Sequence, residues 1–263
     1  NINEAKELYI ELINEHPNNY QYYKSLKKLL KNSNSLNELE RTTVNLVNKN
    51  PLNSMYELDL LEIYLWSNDS RAIVLKNKLF KQFMSNESLL KKLIFIYITN
   101  DLDKEAQDMI DDIRMKESFK DFYAFEFAIH SMAKMNYERA LKEFLIVLQY
   151  NPKKYTFVSD RIMTFPNEKN LMTKMEKLLK QANDIPKSQL LLADLYYKQG
   201  KYSQSWETTR DNAGDTKWLE FADDLINDDQ IVIGRQIINQ ILELETSKEV
   251  RNKAVFLLAE IFE

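Results

Sequence analysis

Apolar side chains recur at three- and four-residue intervals along most of the chain, which is the spacing of one face of an α-helix. Residues 121–154 show this pattern as two runs separated by a short break at Met135 and Asn136. The first run carries Phe127 and Ala128 side by side. The second run carries Tyr137, Ala140 and Phe144, and Pro152 closes the segment. The pattern predicts a hairpin of two helices.

A second segment, Leu191–Glu207, repeats the same order in the sequence LLADLYYKQGKYSQSWE. Its landmarks are a small residue, a tyrosine, a turn glycine and a second tyrosine: Ala193, Tyr196, Gly200 and Tyr202. Near the start of the chain, Pro17 and Pro51 stand 34 residues apart. A period in the thirties with helical patterning inside each unit indicates a stacked array of helix hairpins.

These landmarks resemble the tetratricopeptide repeat, in which a small residue in each helix lets two antiparallel backbones approach closely. The stretch YYKQGKY, which starts at Tyr196, is close to the wording of that family's consensus. The resemblance covers nearly the whole chain. It implies an all-α protein, a right-handed α-solenoid of antiparallel helix hairpins, wound as a superhelix with a concave face.

Extending the register in both directions divides the chain into seven hairpins and two terminal half repeats. The predicted half repeats are 1–19 and 249–263, and the repeats are 20–53, 54–86, 87–120, 121–154, 155–185, 186–214 and 215–248. The fifth and sixth repeats are shorter than the others. The bare half repeats predict self-association through the end helices or membership of a larger assembly, because a terminal unit exposes an apolar face. In the alternative interpretation, the last helix packs as its own cap.

Composition agrees with helices and narrows the choice of partner. The 263 residues include only 3 Gly and 5 Pro, too few for the many turns of a large sheet. The 36 basic and 40 acidic side chains are spread along the chain, which argues against nucleic acid as a partner. Apolar runs such as Leu93–Ile98 are far shorter than the roughly 20 residues that cross a bilayer, so we expect no direct membrane insertion.

Catalytic chemistry has little support in the sequence. Cysteine is absent, and His16 and His130 lie in different repeats. No HExxH pair, nucleophile elbow or phosphate-binding glycine loop occurs. The acidic pairs that begin at Asp111, Asp223 and Asp228 lack the ligand spacing of a calcium loop, so we interpret them as solvated helix ends. We expect no catalytic residue, no metal and no cofactor, and hence not an enzyme.

The resemblance implies that the first helix of each repeat lines the concave face and contacts the partner. Its exposed positions read basic, then apolar and aromatic, then mixed acidic, and aromatic anchors favour a peptide or a helix of another protein. The expected partner-binding residues are Lys24, Lys28, Lys31, Lys91, Phe95, Ile98, Phe122, Phe125, Ile129, Met132, Asp194, Tyr197 and Asp223.

Other interpretations of these positions stay open. The segment FYAFEFAIHSM, which starts at Phe122, is also what a helix buried on all sides would show. The lysines around Lys28 also suit an ordinary solvated helix face. The family's known clamp for two carboxylates is absent, because the positions of its asparagines hold other residue types: Lys28, Glu62, Phe95, Ile129, Asp194 and Asp223.

The sequence therefore predicts a non-catalytic scaffold that binds a peptide or helix of a partner protein in its concave groove. A regulatory or docking domain of a longer enzyme or cell-envelope machine is the alternative, and a small-molecule or metal enzyme is a third hypothesis. The start at Asn1 suggests a processed chain or an excised part of a longer one. Together with the lack of cysteine, it favours a bacterial periplasmic or secreted setting, with the cytoplasm as the alternative.

Overall fold

A computed structural model describes residues 2–17 and 19–262 of the chain. Asn1 and Glu263, the outer bounds of the two predicted half repeats, lie outside the described residues. Within the described part there are sixteen α-helices and no strand, so the predicted all-α class is confirmed. The first seven are α1 (Ile2–Glu15), α2 (Tyr20–Asn32), α3 (Leu36–Lys49), α4 (Ser54–Trp66), α5 (Arg71–Phe83), α6 (Glu87–Thr99) and α7 (Asp103–Arg114).

The other nine helices follow a short 3-10 turn at Glu117–Phe119, and a second such turn, Pro152–Lys154, lies among them. They are α8 (Ala124–Ala133), α9 (Tyr137–Tyr150), α10 (Tyr155–Met163), α11 (Lys169–Gln181), α12 (Ser188–Lys198), α13 (Tyr202–Asn212), α14 (Asp215–Asn227), α15 (Ile231–Glu243) and α16 (Lys248–Glu260). None of the described helices is long and apolar enough to cross a bilayer.

The chain divides between Phe122 and Tyr123 into two compact units. The first unit contains α1–α7 and the second contains α8–α16. Within each unit, successive helices pack as hairpins joined by short connections, as in α4 with α5 and α12 with α13. The helix-hairpin fold is thus confirmed, whereas the division into repeats of one continuous array stays a prediction.

Six of the described hairpins turn in the same way. One residue between the two helices has a positive φ, and these residues are Asn34, Asn68, Asp101, Met135, Gly200 and Asp229. The next N–H group then donates back to a carbonyl oxygen in the preceding helix, as from Ser35 to Leu30 at 2.9 Å and from Lys201 to Tyr196 at 2.9 Å. This bond satisfies a carbonyl group that the helix end leaves unpaired.

The connection between α10 and α11 differs, because it is longer and contains Pro166. Phe165 in this loop is 2% exposed, and its ring lies 4.7 Å from the Tyr137 ring. The Lys198 Nζ atom donates to the carbonyl oxygens of Met163, at 2.6 Å, and Phe165. Burial lowers the pKa of Lys198. The ammonium group thus closes the C-terminal end of α10 and fixes Met163 beside α12.

Each unit has a core of its own. In the first unit the Tyr23 and Tyr56 rings meet edge to face at 5.2 Å, and the Tyr23 hydroxyl group bonds Thr43 Oγ1 at 2.7 Å. In the second unit one cluster surrounds Phe144 and another surrounds Phe221. These buried faces hold the helices together, since isolated helices of this length are marginal in water.

The last helix is covered on one side only. Val250 and Ala254 are buried, whereas Val255 is 53% exposed and Phe256 is 61% exposed. The helix therefore completes part of the second unit's core and keeps apolar side chains in solvent. Association through the end helices stays a prediction.

Candidate functional site

The predicted lysines of α2 have different surroundings. Lys24, Lys28 and Lys31 are exposed, and the Lys31 Nζ atom lies 3.6 Å from the centre of the Trp66 ring. Lys27, which lies among them in sequence, is partly buried and pairs with a cluster on α4. The exposed lysines are therefore available to a partner, whereas Lys27 belongs to the inside of the first unit.

That internal cluster is a satisfied polar network. The Lys27 ammonium group pairs with both Asp59 and Glu62, and the Tyr20 hydroxyl group donates to Asp59 Oδ2 at 2.6 Å. Burial opposes the charge on Lys27, but Asp59 and Glu62 outweigh it and raise the pKa of Lys27. Burial also raises the pKa of Asp59. The network positions α2 against α4.

The apolar residues predicted in the first unit are divided between surface and core. Phe95 is 57% exposed, but Ile98 is 8% exposed and Phe122 is 4% exposed. The expectation that Ile98 and Phe122 face solvent is therefore wrong, because both pack into the interior. Lys91 is partly buried and pairs with Glu87 at 3.0 Å, one helical turn away.

The predicted aromatic residues on α8 are in part core residues. Phe125, Ile129 and Met132 are partly buried and pack against the cluster around Phe144. The Phe125 ring lies 5.0 Å from the Phe157 ring. These contacts favour the core interpretation for this part of the row.

The clearest cavity that contains predicted residues lies in the second unit, among α12, α13, α14 and the end of α10. It has a volume of about 240 Å³. We call it the acidic pocket, and its lining residues are Met163, Asp194, Tyr197, Ser205, Thr209, Lys217, Phe221, Asp224, Asn227 and Asp228. The structure thus brings Asp194 and Tyr197 together, whereas Asp223 is not among the lining residues and its neighbour Asp224 is.

Asp194 is the most enclosed carboxylate of the acidic pocket. Its Oδ2 atom accepts hydrogen bonds from the Tyr155 hydroxyl group and from Ser159 Oγ, both at 2.6 Å. Burial raises the pKa of Asp194, although these two bonds and the charge of Lys217 oppose the rise. One helix therefore holds this α12 carboxylate in place, since Tyr155 and Ser159 both belong to α10.

Two further carboxylates lie at the end of α14. Asp228 accepts a hydrogen bond from the Tyr197 hydroxyl group at 2.7 Å. Asp224 is exposed, and burial of its inner part raises its pKa. The charge of Lys217 opposes this rise, and the charges of Asp223, Glu220 and Asp228 add to it. Like charges oppose one another here, so the pocket favours a positive charge.

The lining contains one ammonium group, that of Lys217, for its three carboxylates. Lys217 Nζ pairs with Glu220, outside the pocket, at 3.1 Å. The apolar part of the wall is aromatic, where the Tyr197 and Phe221 rings meet edge to face at 5.5 Å. Among the described residues there is no group of His, Cys, Asp and Glu side chains that could hold a metal ion.

Sequence reasoning missed the part of the pocket that comes from α13. Ser205 and Thr209 lie one helical turn apart on that helix and are almost fully buried, at 1% and 3% exposure. The available signal was two hydroxyl residues at a four-residue spacing on the same helix face as Trp206 and its neighbours. The prediction used first helices only and therefore passed over it.

Comparison with known proteins covers family models, curated sequences and solved structures. No family model and no curated protein matches this sequence. Among solved structures, the chain is similar to a tetratricopeptide repeat protein from Parabacteroides merdae ATCC 43184, with 14% identity and a TM-score of 0.36 over 97% of this chain and 99% of that chain. The described chain is all-α and consists of helix hairpins with recurring turns.

Proposed function

We propose that this chain is a non-catalytic scaffold for protein–protein interaction, and that its second unit holds a peptide segment or a helix of a partner. Tetratricopeptide-like folds generally mediate protein–protein interaction. The observation that carries the proposal is the acidic pocket, where polar atoms of α12 and α14 and an aromatic wall line a cavity. The predicted contact residues Asp194 and Tyr197 belong to this lining.

The size of the cavity supports a macromolecular partner. Sites for small-molecule ligands generally measure about 300–1,000 Å³ and enclose most of the ligand. The acidic pocket, at about 240 Å³, is smaller and suits one side chain of a larger partner. The remaining contacts then come from the exposed residues of the first helices around it.

A selection experiment tests this function. The full chain is immobilised and exposed to a random peptide library, and the retained peptides are measured against two variants. Tyr197→Ala removes the aromatic wall, and Tyr150→Ala removes a tyrosine of the second helix α9 that is 51% exposed. Circular dichroism establishes that both variants remain folded.

We expect retained peptides to lose about tenfold in affinity for Tyr197→Ala and to bind Tyr150→Ala as they bind the unmodified chain, because aromatic anchors carry most of the binding energy. Failure to retain any peptide above background contradicts the proposal. So does a set of peptides that depends on Tyr150 and ignores Tyr197.

A further inference from the structure

One lining residue of the acidic pocket lacks a partner inside the protein. Thr209 is 3% exposed, and its hydroxyl group makes no hydrogen bond with any described residue. Its neighbours use the protein's own carbonyl groups: Thr208 donates to Gln204 at 2.8 Å and Ser205 donates to Ala193 at 2.7 Å. The Thr209 hydroxyl group is therefore open to a polar ligand group inside the pocket.

The charges around the pocket specify the sign of that group. Asp194, Asp224 and Asp228 line the pocket, and Asp223 and Glu220 add to the negative charge near Asp224. On the positive side, Lys217 pairs with Glu220, and the Lys198 ammonium group is used by the carbonyl groups at the end of α10. The lining thus presents more carboxylates than cations, and a cation satisfies them.

The shape of the wall specifies what the cation is attached to. Met163, Tyr197 and Phe221 supply apolar surface beside the carboxylates. Lysine and arginine side chains have an apolar stem with a charged end, and the stem packs on such surfaces while the end finds its acceptors. Aromatic faces also attract cations. A bare metal ion would leave this apolar wall without a contact.

We infer that the acidic pocket binds the side chain of a lysine or arginine from a partner peptide, an inference that rests on the proposed function. The cationic end group lies between Asp194, Asp224 and Asp228 and also meets the Thr209 hydroxyl group. The stem lies against Tyr197 and Phe221. The pocket therefore selects partners that present a basic residue.

Peptides retained by the full chain provide the test. In each one, lysine is replaced by norleucine or arginine by citrulline, which remove the charge and keep the length. The double variant Asp224→Asn with Asp228→Asn removes two carboxylates, both exposed, and keeps an oxygen acceptor for Tyr197. Asp211→Asn, which removes an exposed carboxylate of α13 that pairs with Arg210, is the matched control.

We expect binding to weaken about tenfold when the basic residue that enters the pocket is replaced by its neutral counterpart. This is the size of effect that the loss of a hydrogen bond to a charged group produces. The double variant keeps only Asp194 and should lose most of this preference for the charged peptide, whereas Asp211→Asn keeps it. Retained peptides that have no enrichment in basic residues, or that tolerate the neutral replacements, overturn the inference while the proposed function stands. Failure to retain any peptide removes the proposed function itself.

A free polyamine also carries positive charge, so a separate titration tests whether it is the ligand. Spermidine is titrated into the full chain and into the double variant. We expect it to displace basic peptides only weakly, since it lacks the peptide backbone contacts. Tight spermidine binding that the double variant abolishes, with no peptide preference for basic residues, overturns the peptide as the ligand.

Discussion

Asp194 is largely buried and also lines the candidate binding site. Tyr155 and Ser159 hold it by hydrogen bonds at 2.6 Å, and burial raises its pKa. The ionised form of Asp194, which attracts a cation, therefore lowers the stability of the folded chain. A partner that supplies a positive charge would offset that cost.

The raised pKa of Asp194 gives stability a defined pH dependence. In the unfolded chain an aspartate titrates at about pH 3.9, and in the folded chain Asp194 titrates higher. The folded state binds the proton more tightly between these two values, so this residue makes the protein less stable as pH rises through that window. Asp194→Asn removes this effect, and its stability relative to the unmodified chain rises with pH. Urea unfolding of both proteins at about pH 4 and about pH 7 measures the difference.

Asp215→Asn is the matched control with the opposite sign. The Ser247 N–H group donates to Asp215 Oδ2 at 2.8 Å and lowers the pKa of that carboxyl group. Its contribution to stability is present above the unfolded pKa and is lost as pH falls through the folded value. This variant is therefore less stable than the unmodified chain at neutral pH. If both variants respond to pH with the same sign, the assignment of Asp194 is wrong.

Met135 is a second residue in an unfavourable state, because its backbone has the left-handed conformation. It has a φ of 59° at the turn between α8 and α9 and is 75% exposed. Side chains with a Cβ atom disfavour this left-handed conformation, and glycine does not. Met135→Gly is expected to raise the free energy of unfolding by about 0.5–1 kcal/mol.

Met115→Gly is the control for this turn. Met115 is also an exposed methionine at a helix end, but its φ is −61°. Glycine gains nothing there and lowers stability through the entropy of the unfolded chain. Chemical denaturation of the two variants decides the matter, and a loss of stability in Met135→Gly would contradict the role of this turn.

At the scale of elements, the contact between α14 and α15 depends on a glycine. A Cβ atom added at Gly234 would lie 2.9 Å from Ile226 Cγ1 and 3.3 Å from the Ala222 carbonyl oxygen. Gly234→Ala should therefore lower the free energy of unfolding by about 1–2 kcal/mol, although alanine is the better helix former.

Gly214→Ala, at the start of α14, provides the comparison because a Cβ atom there meets nothing within 4 Å. Its thermal midpoint should remain close to that of the unmodified chain. A Gly234→Ala protein that melts higher than Gly214→Ala would show that the two helices do not approach each other as described.

The sequence was most informative about helices and least informative about what joins and surrounds them. The helical periodicity predicted the pair α8 and α9 because apolar spacing is a local property. The left-handed turns were not predictable, since Asn, Asp, Met and Gly all occupy that position. The burial of Ile98 and Phe122 depends on tertiary packing. Thr209 was missed because its environment comes from other helices.

At the scale of the whole molecule, the division at Phe122 and Tyr123 was not predicted from the repeat register. The register placed the start of a repeat at Asp121, whereas α8 begins at Ala124, after a 3-10 turn and a Tyr123 residue with a φ of 60°. Periodicity reports which faces are apolar and carries no information on where one compact unit ends. The candidate site lies entirely within the second unit.

Binding to the whole chain should depend on salt if the acidic pocket takes a basic side chain. The net charge of the chain is only −4, so long-range attraction is weak and the effect comes from the pocket. Raising the ionic strength from about 0.01 M to about 1 M shortens the screening length from about 30 Å to about 3 Å. Affinity for basic peptides should fall over this range, and affinity for their neutral counterparts should not. Calorimetry or fluorescence titration compares the two.

The most direct measurement is a cross-linking map of a retained peptide on the full chain. The peptide carries a benzophenone group next to its basic residue, and mass spectrometry identifies the attached residues. The account predicts cross-links on α12 and α14 around the acidic pocket, near Tyr197 and Asn227. Cross-links confined to the second helices α9, α11 and α15, or to the first unit, would contradict it.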